Sequence, residues 1–197
     1  MSASETLDIM TEKNNGYLIT SDVTKAGFSK TFLSEYVKKR NMERVAQGVY
    51  MSEGAWLDEM YIVRLRNSKA VFSHESALYI HGLMDSEPSS VTLTIPTGYN
   101  ATHLRKQGYK VYTVPREILK MGQIEKENSF ENKVFVYDID RTICDVIKAK
   151  DDFEIQTFQT ALKEYMRSKE KNLNNLMKYA EALKITSKVR TYTEVML

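Results

Sequence analysis

The sequence predicts an α+β protein in two parts, on three observations. The first 51 residues show short helix signals followed by a hairpin pattern, and the stretch from about residue 90 to 137 holds three runs rich in Val, Ile, Tyr and Phe. From about residue 140 the apolar residues recur every three to four positions, which indicates helices. We therefore expect an amino-terminal domain over residues 1–51. A second domain over 56–197 is expected to combine a small sheet with a helical carboxy-terminal part.

Composition bounds the class of protein. The 197 residues are 42% hydrophobic and 27% charged, with a formal net charge of +2, as expected of globular domains with an apolar core. No apolar run reaches the roughly 20 residues of a membrane span, and the chain does not start like a signal peptide. We therefore expect a cytoplasmic protein without membrane contact. One cysteine and three histidines are too few for a Cys/His zinc site, and we predict neither metal nor cofactor.

The amino-terminal elements begin with a helix expected over about residues 5–14 and ended by Gly16. A second, short helix follows, for which Thr20 or Ser21 can supply the cap. Gly27 then ends this helix where a tight turn needs a positive φ.

A third helix starts directly after this turn, with Ser29 as its cap. Its apolar residues form one stripe at the helical period: Phe32, Leu33, Tyr36 and Val37. The opposite side is polar, and a polar helix face beside a tight turn is what a recognition helix presents to the major groove.

Two short segments, 42–45 and 48–51, then flank Ala46 and Gln47 as the arms of a hairpin would. Helix, turn, helix and hairpin in this order predict a winged helix-turn-helix. Residues 24–51 hold six Lys or Arg and two Glu, a net charge of +4, so positive charge is concentrated where phosphates would lie. The residues predicted to approach bases are Lys30, Thr31, Ser34 and Lys38. Those predicted to hold phosphate or the minor groove are Lys39, Arg40, Arg44 and Gln47.

The second part is predicted to contain helices at about 56–67 and 73–80 and strands at 91–95, 110–114 and 133–137. Helices follow from about residue 140. Residues 160–190 carry eight Lys or Arg and three Glu, a net charge of +5. This stretch either touches nucleic acid or is a solvated helix face.

An acidic cluster follows the third predicted strand and admits two interpretations. A helix starting near Asp140 would be capped by that residue and would carry Arg141 and Asp145 as an i, i+4 ion pair, with Asp138 within reach of Arg141. The three carboxylates could bind the metal of a nuclease or nucleotidyltransferase, with Lys148 or Lys150 as the cation. An ion-pair network at the strand-to-helix junction explains the same residues, because Arg141 already neutralises the charge that a divalent ion would need.

His74 and Glu75 at the start of another helix suggest acid–base chemistry. No nucleophile motif or glycine-rich phosphate loop accompanies them. A structural or partner-contact role is the simpler interpretation of this pair.

Two segments in the second part, combined with the winged helix, match a known family in order and spacing. They read Ser73-His-Glu-Ser-Ala-Leu-Tyr-Ile-His-Gly-Leu83 and Asp138-Ile-Asp-Arg-Thr-Ile-Cys-Asp-Val-Ile-Lys148. Over nearly its whole length the chain resembles the AbiE-type (AbiEi) antitoxins, the transcriptional-regulator half of type IV abortive-infection toxin–antitoxin systems.

The resemblance implies a repressor that binds inverted repeats in the promoter of its own operon. It also implies neutralisation of a co-encoded nucleotidyltransferase-like toxin by the second domain, in many cases without a stable complex, and hence a role in phage defence. We expect no catalytic activity of the chain itself. The residues assigned to antitoxicity are His74, Glu75, Asp138, Asp140, Arg141, Asp145 and Lys148. Two alternatives remain: a DNA-processing enzyme, either nuclease or nucleotidyltransferase, targeted by the winged helix, and a regulator that responds to a small ligand in its second domain.

Overall fold

The structure, a computed structural model, describes residues 2–196, so that Met1 and Leu197 at the ends of the predicted domains lie outside it. The described chain is α+β, with eleven α-helices and two sheets. The helices are α1 Ala3–Lys13, α2 Thr20–Lys25, α3 Lys30–Lys39, α4 Glu59–Arg66, α5 His74–Ile80, α6 Thr102–Lys106, α7 Arg116–Leu119, α8 Ile139–Lys148, α9 Ile155–Arg167, α10 Leu173–Ala182 and α11 Thr186–Met196. The strands are β1 Tyr17–Ile19, β2 Glu43–Ala46, β3 Val49–Met51, β4 Val71–Phe72, β5 Thr92–Pro96, β6 Lys110–Val114, β7 Gln123–Glu127 and β8 Lys133–Tyr137.

The chain divides into two compact units. The first runs to Ser68 and includes the segment Phe130–Asn132, and the second contains the remaining described residues. Helix α4 thus groups with the amino-terminal part, whereas the predicted division placed residues 56–197 in the second domain. The contacts of Tyr17 in β1 give the reason. Its hydroxyl donates to the carbonyl of Trp56 at 2.7 Å and accepts from the backbone N–H of Asp58 at 2.9 Å.

The first unit is built on an antiparallel sheet in the order β1-β3-β2. Helix α1 begins earlier than predicted, because Ser2 accepts a hydrogen bond from the backbone of Glu5 while the Glu5 carboxylate accepts from the backbone of Ser2. The helices pack on the sheet through a small apolar core. Its buried members are Leu7, Leu18, Val23, Leu33, Tyr36 and Met42.

The second unit contains a five-stranded mixed sheet in the order β6-β5-β4-β8-β7. The pairs β5/β6 and β4/β8 are parallel, and β4/β5 and β7/β8 are antiparallel. Strands β6 and β8 have the bounds predicted from the sequence. Strands β4 and β7 were not predicted. The carboxy-terminal helices pack around α8, nine of whose ten residues are buried.

Within the described chain, no helix has both the length and the apolar character that crossing a membrane requires.

Candidate functional sites

Helix α3 presents a polar face to solvent. Its first turn is capped by Ser29, whose hydroxyl accepts a hydrogen bond from the N–H of Phe32 at 3.1 Å. Leu33 and Tyr36 are buried and fix the orientation of the helix, so the side that carries the predicted base-contacting residues faces outward. All eight residues predicted to contact DNA are exposed: Lys30, Thr31, Ser34, Lys38, Lys39, Arg40, Arg44 and Gln47.

The turn before α3 is formed by Gly27, which has φ +91°. The predicted cap of α2 by Thr20 or Ser21 is wrong. The helix begins at Thr20, and Ile19 occupies the cap position without a side-chain hydrogen bond. The N–H of Thr20 instead donates to the carbonyl of Gly48 at 2.9 Å. The hairpin thus provides an acceptor for a free N–H at the start of α2, a role that the sequence had assigned to a side chain.

The β2–β3 hairpin carries Arg44 and Gln47 into solvent. Ala46 pairs with Val49, so the turn lies at Gln47 and Gly48, one residue later than predicted. Gly48 has φ +74°, a conformation that favours glycine in a tight hairpin turn.

Arg40 differs from the other predicted phosphate contacts because it already has an acidic partner. Its Nη2 donates to Asp8 Oδ2, and the Tyr36 hydroxyl donates to Asp8 Oδ1 at 2.7 Å. These hydrogen bonds, that of Tyr36 foremost, hold the pKa of Asp8 below its usual range. A phosphate contact by Arg40 therefore has to compete with Asp8. Sequence reasoning missed Asp8, which lies on another helix and carries no local signal.

The junction between β8 and α8 is capped by Asp138, and the predicted cap at Asp140 is wrong. Asp138 Oδ1 accepts from the backbone N–H of Arg141 at 2.7 Å, because the helix starts one residue before Asp140. Asp138 Oδ2 also accepts from the hydroxyl of Tyr179 at 2.7 Å.

The carboxylate of Asp140 is buried and forms hydrogen bonds that connect α8 with α9 and with the start of α10. It accepts hydrogen bonds from the Tyr165 hydroxyl at 2.9 Å and from the backbone N–H of Asn172 at 2.8 Å. Burial raises its pKa despite these hydrogen bonds.

The predicted ion pair between Arg141 and Asp145 is confirmed, with Arg141 Nε 3.2 Å from both carboxylate oxygens. The expected side-chain contact of Arg141 with Asp138 is not found, because the guanidinium points elsewhere. Its Nη1 donates to the carbonyls of Ile118 at 3.1 Å and Met121 at 2.8 Å. Burial raises the pKa of Asp145 to about 6, although the charge of Arg141 acts in the opposite direction.

The turn that leads into β7 closes directly on Arg141. Gly122 has φ +76°, and a Cβ at this position would lie 2.7 Å from the Cβ of Arg141. Only a residue without a side chain fits both the backbone conformation and the space.

His74 is buried in an unusual backbone conformation, with φ +51°. Its ring stacks on Tyr112 with centroids 3.5 Å apart. The Ser73 hydroxyl accepts from the hydroxyl of Thr94 at 2.8 Å, which leaves its own proton available to His74 Nδ1 at 2.9 Å.

Burial lowers the pKa of His74 to about 3, and the positive charges of Lys110, Arg141 and Lys148 act in the same direction. The imidazole is therefore neutral near pH 7. Glu75 points to Lys110, whose Nζ lies 3.9 Å from its carboxylate, and Lys148 is exposed at the end of α8.

The structure therefore divides the seven residues assigned to antitoxicity. The positive charges of Arg141 and Lys148 help to lower the pKa of His74. The carboxylates of Asp138 and Asp140 instead accept hydrogen bonds from the hydroxyls of Tyr179 and Tyr165. Sequence reasoning missed the tyrosines that complete these contacts. Their contacts with the cluster cross from one element to another, so spacing along the chain does not mark them. In the described part of the chain, no three His, Cys, Asp or Glu side chains are grouped to hold a metal ion.

Comparison with known proteins gives a structural likeness. No protein-family model matches the chain, and no curated protein matches it. The chain is similar to the crystal structure of the RV2827C protein from Mycobacterium tuberculosis, with a TM-score of 0.61 and 10% sequence identity over 91% of this chain and 71% of that one. At this level of identity the likeness shows a shared fold.

Proposed function

We propose that this chain is an AbiE-type antitoxin, a sequence-specific DNA-binding autorepressor that neutralises a co-encoded nucleotidyltransferase-like toxin. In this proposal the first unit is a winged helix-turn-helix. Helices α2 and α3 form the helix pair, and the β2–β3 hairpin is the wing. The observation that carries the proposal is the exposed polar face of α3 beside a hairpin that carries exposed Arg44 and Gln47.

The chemistry of this face suits double-stranded DNA. Lys30, Thr31 and Ser34 can donate to base edges in the major groove, and Lys38 lies one to two turns further along the same helix. Lys39 and Arg44 supply positive charge that would release counterions from phosphates. Binding to inverted repeats would place one such unit on each half-site.

For antitoxicity, the proposal assigns the buried members of the two motifs to holding the second unit in shape. Asp140, Arg141 and Asp145 are buried and hydrogen-bonded within the protein, so a partner contacts them only through the surface that they support. Lys148 is the exposed member of the second motif and the best candidate for a direct contact.

The same hydrogen bonds disfavour the enzyme alternative. A metal ion at this cluster would have to displace the Arg141 guanidinium from Asp145 and the Tyr179 hydroxyl from Asp138. Incubating the purified protein with plasmid DNA and Mg²⁺ or Mn²⁺ tests this alternative, and cleavage lost in Asp145→Asn would support it.

Two measurements test the proposal. Gel-shift titration with DNA from upstream of the protein's own gene should show binding that survives an excess of scrambled competitor. Co-expression with the nucleotidyltransferase-like toxin that the proposal expects in the same operon should restore growth of cells that this toxin arrests. Equal affinity for scrambled and native DNA would remove the repressor role, and growth arrest that persists on co-expression would remove the antitoxin role.

A further inference from the structure

A cavity of about 630 Å³ opens in the first unit, between α1, the end of α3 and the segment that follows β3. Asp8, Thr11 and Glu12 line it from one side of α1 at helical spacing, and Asn15 follows just after the helix. The remaining lining residues are Gly16, Tyr36, Arg40, Met42, Ser52, Gly54 and Ala55. This volume lies in the range of cavities that hold small molecules, roughly 300 to 1,000 Å³.

Gly16, one of the lining residues, is tightly packed. This residue has φ +87°, and a Cβ there would lie 2.5 Å from the Cβ of Ala55 and 2.6 Å from the Oγ of Ser52. The N–H of Ser52 donates to the carbonyl of Gly16 at 2.9 Å. The segment that follows β3 is thus held against the residues that follow α1, which fixes this part of the cavity lining.

The charges that line the cavity favour a positively charged occupant. Two carboxylates, from Asp8 and Glu12, face one guanidinium, from Arg40. The cavity also lies at the carboxy-terminal ends of α1 and α3, where the helix dipole carries partial negative charge. The lysines of these last turns, Lys13, Lys38 and Lys39, are exposed and do not line the cavity.

Of the two carboxylates, that of Glu12 is the available one. The oxygens of Asp8 accept from Tyr36 and Arg40. The Glu12 carboxylate forms no ion pair or hydrogen bond with the other described residues. It therefore offers an acceptor to an ammonium group in the cavity, while Thr11, Asn15 and Ser52 add neutral polar surface around it.

We propose that this cavity binds a small organic cation whose protonated amine pairs with Glu12. Such a ligand would lie beside Tyr36 of α3, the helix that the proposed function places on DNA, and beside Arg40, which follows that helix. Control of DNA binding by the ligand would rest on the proposed DNA-binding function. Binding of the ligand to the cavity does not depend on that function. Measuring binding without DNA therefore lets the two proposals fail separately.

The test is isothermal titration calorimetry of the full chain with spermidine, in about 150 mM salt to screen diffuse attraction. We expect saturable binding of one spermidine per chain and none of glutarate, a dianion. Glu12→Gln should weaken spermidine binding about five-fold, the effect of one contact between unit charges near solvent. Gly54→Leu should abolish it. The Gly54 backbone is compatible with a side chain and a Cβ there meets no atom within 4 Å, so the new side chain has room at the cavity wall.

Glu59→Gln is the matched control, because it removes the same charge from an exposed position in the first unit outside the cavity. It should bind spermidine as the wild type does. An equal loss in Glu59→Gln and Glu12→Gln would overturn the proposal in favour of diffuse attraction. Absence of saturable binding to the wild type would overturn it as well. So would unchanged binding by Glu12→Gln, an exposed substitution that does not disturb folding.

Discussion

Arg141 and Asp145 form an ion pair one turn apart on α8, and both side chains are buried in the second unit. Removing one partner leaves an uncompensated buried charge. We therefore expect Arg141→Ala to lower the free energy of unfolding by about 3 to 5 kcal/mol. Arg141→Lys keeps the positive charge but loses the guanidinium N–H groups that donate to the carbonyls of Ile118 and Met121. Its loss of unfolding free energy should therefore be smaller. Urea denaturation measures both, and equal stability of Arg141→Ala and wild type would contradict a structural role of the pair.

A second prediction concerns Gly122, whose missing side chain makes room for Arg141. Gly122→Ala forces both an unfavourable positive φ and a contact of 2.7 Å with the Arg141 Cβ. Gly98→Ala is the matched control, because Gly98 has φ +84° but open space around its Cβ position. We expect the control to lose about 1 kcal/mol and Gly122→Ala to lose a further 1 to 3 kcal/mol. Equal melting temperatures of the two variants would show that the turn moves away from Arg141 without cost.

A third prediction follows from the low pKa of His74, about 3 in the folded protein. The ordinary histidine pKa is about 6.5, so between these values the unfolded chain binds more protons than the folded one. The contribution of His74 to stability is therefore fully present above about pH 6.5 and is lost as the pH drops, by up to about 1.4 kcal/mol per pH unit. Asp145, whose pKa burial raises to about 6, acts in the opposite direction, so the contribution of His74 is obtained from the difference between wild type and His74→Asn. His74→Asn, which tolerates the positive φ, should flatten this slope in urea titrations at about pH 7 and pH 5. The same substitution at exposed His103 is the control, and a wild-type slope in His74→Asn would contradict the assignment.

A fourth prediction separates the two proposed activities. Replacing Lys38 and Lys39 by Ala should weaken promoter binding and lower the slope of log affinity against log salt by about 0.9 for each lost phosphate contact. Rescue from the toxin should persist, because both substitutions lie on an exposed face of the first unit.

The control for this variant is Lys13→Ala, which removes one exposed positive charge at the end of α1. Its salt slope should match that of the wild type. A double variant that keeps both affinity and slope would remove α3 from the DNA interface. Arg40→Ala is a less clear probe, because it also breaks the contact with Asp8.

Elements with a strong local pattern were predictable from the sequence, and others depend on distant partners. Strands β6 and β8 alternate β-branched and aromatic residues, so their bounds were predicted correctly. Strand β7 has one apolar residue, Ile124, among four polar ones, as suits an edge strand that needs no second apolar face. Strand β4 has two residues and exists because it pairs with β5 and β8.

The same distinction applies to the candidate sites. The pair Arg141–Asp145 follows from helical spacing and was predictable. The partner of Arg40 is Asp8, 32 positions earlier in the chain, and the contacts of Arg141 with the carbonyls of Ile118 and Met121 also span separate elements. Spacing predicts neighbours on one helix, but contacts between elements depend on the packing of the whole unit.

The segment Phe130–Asn132 belongs to the first unit although it follows most strands of the second. Asn132 donates to the carboxylate of Asp58 at 2.7 Å, and Asn15 donates to Asn132 at 2.8 Å. The central strand β4 likewise pairs with β8, about sixty positions later in the chain. During synthesis from the amino terminus, neither unit can therefore complete its native contacts until residues 132 to 137 have left the ribosome. Because the first unit needs so late a segment, it cannot finish folding early on the nascent chain, so we expect folding of the two units to be coupled in time.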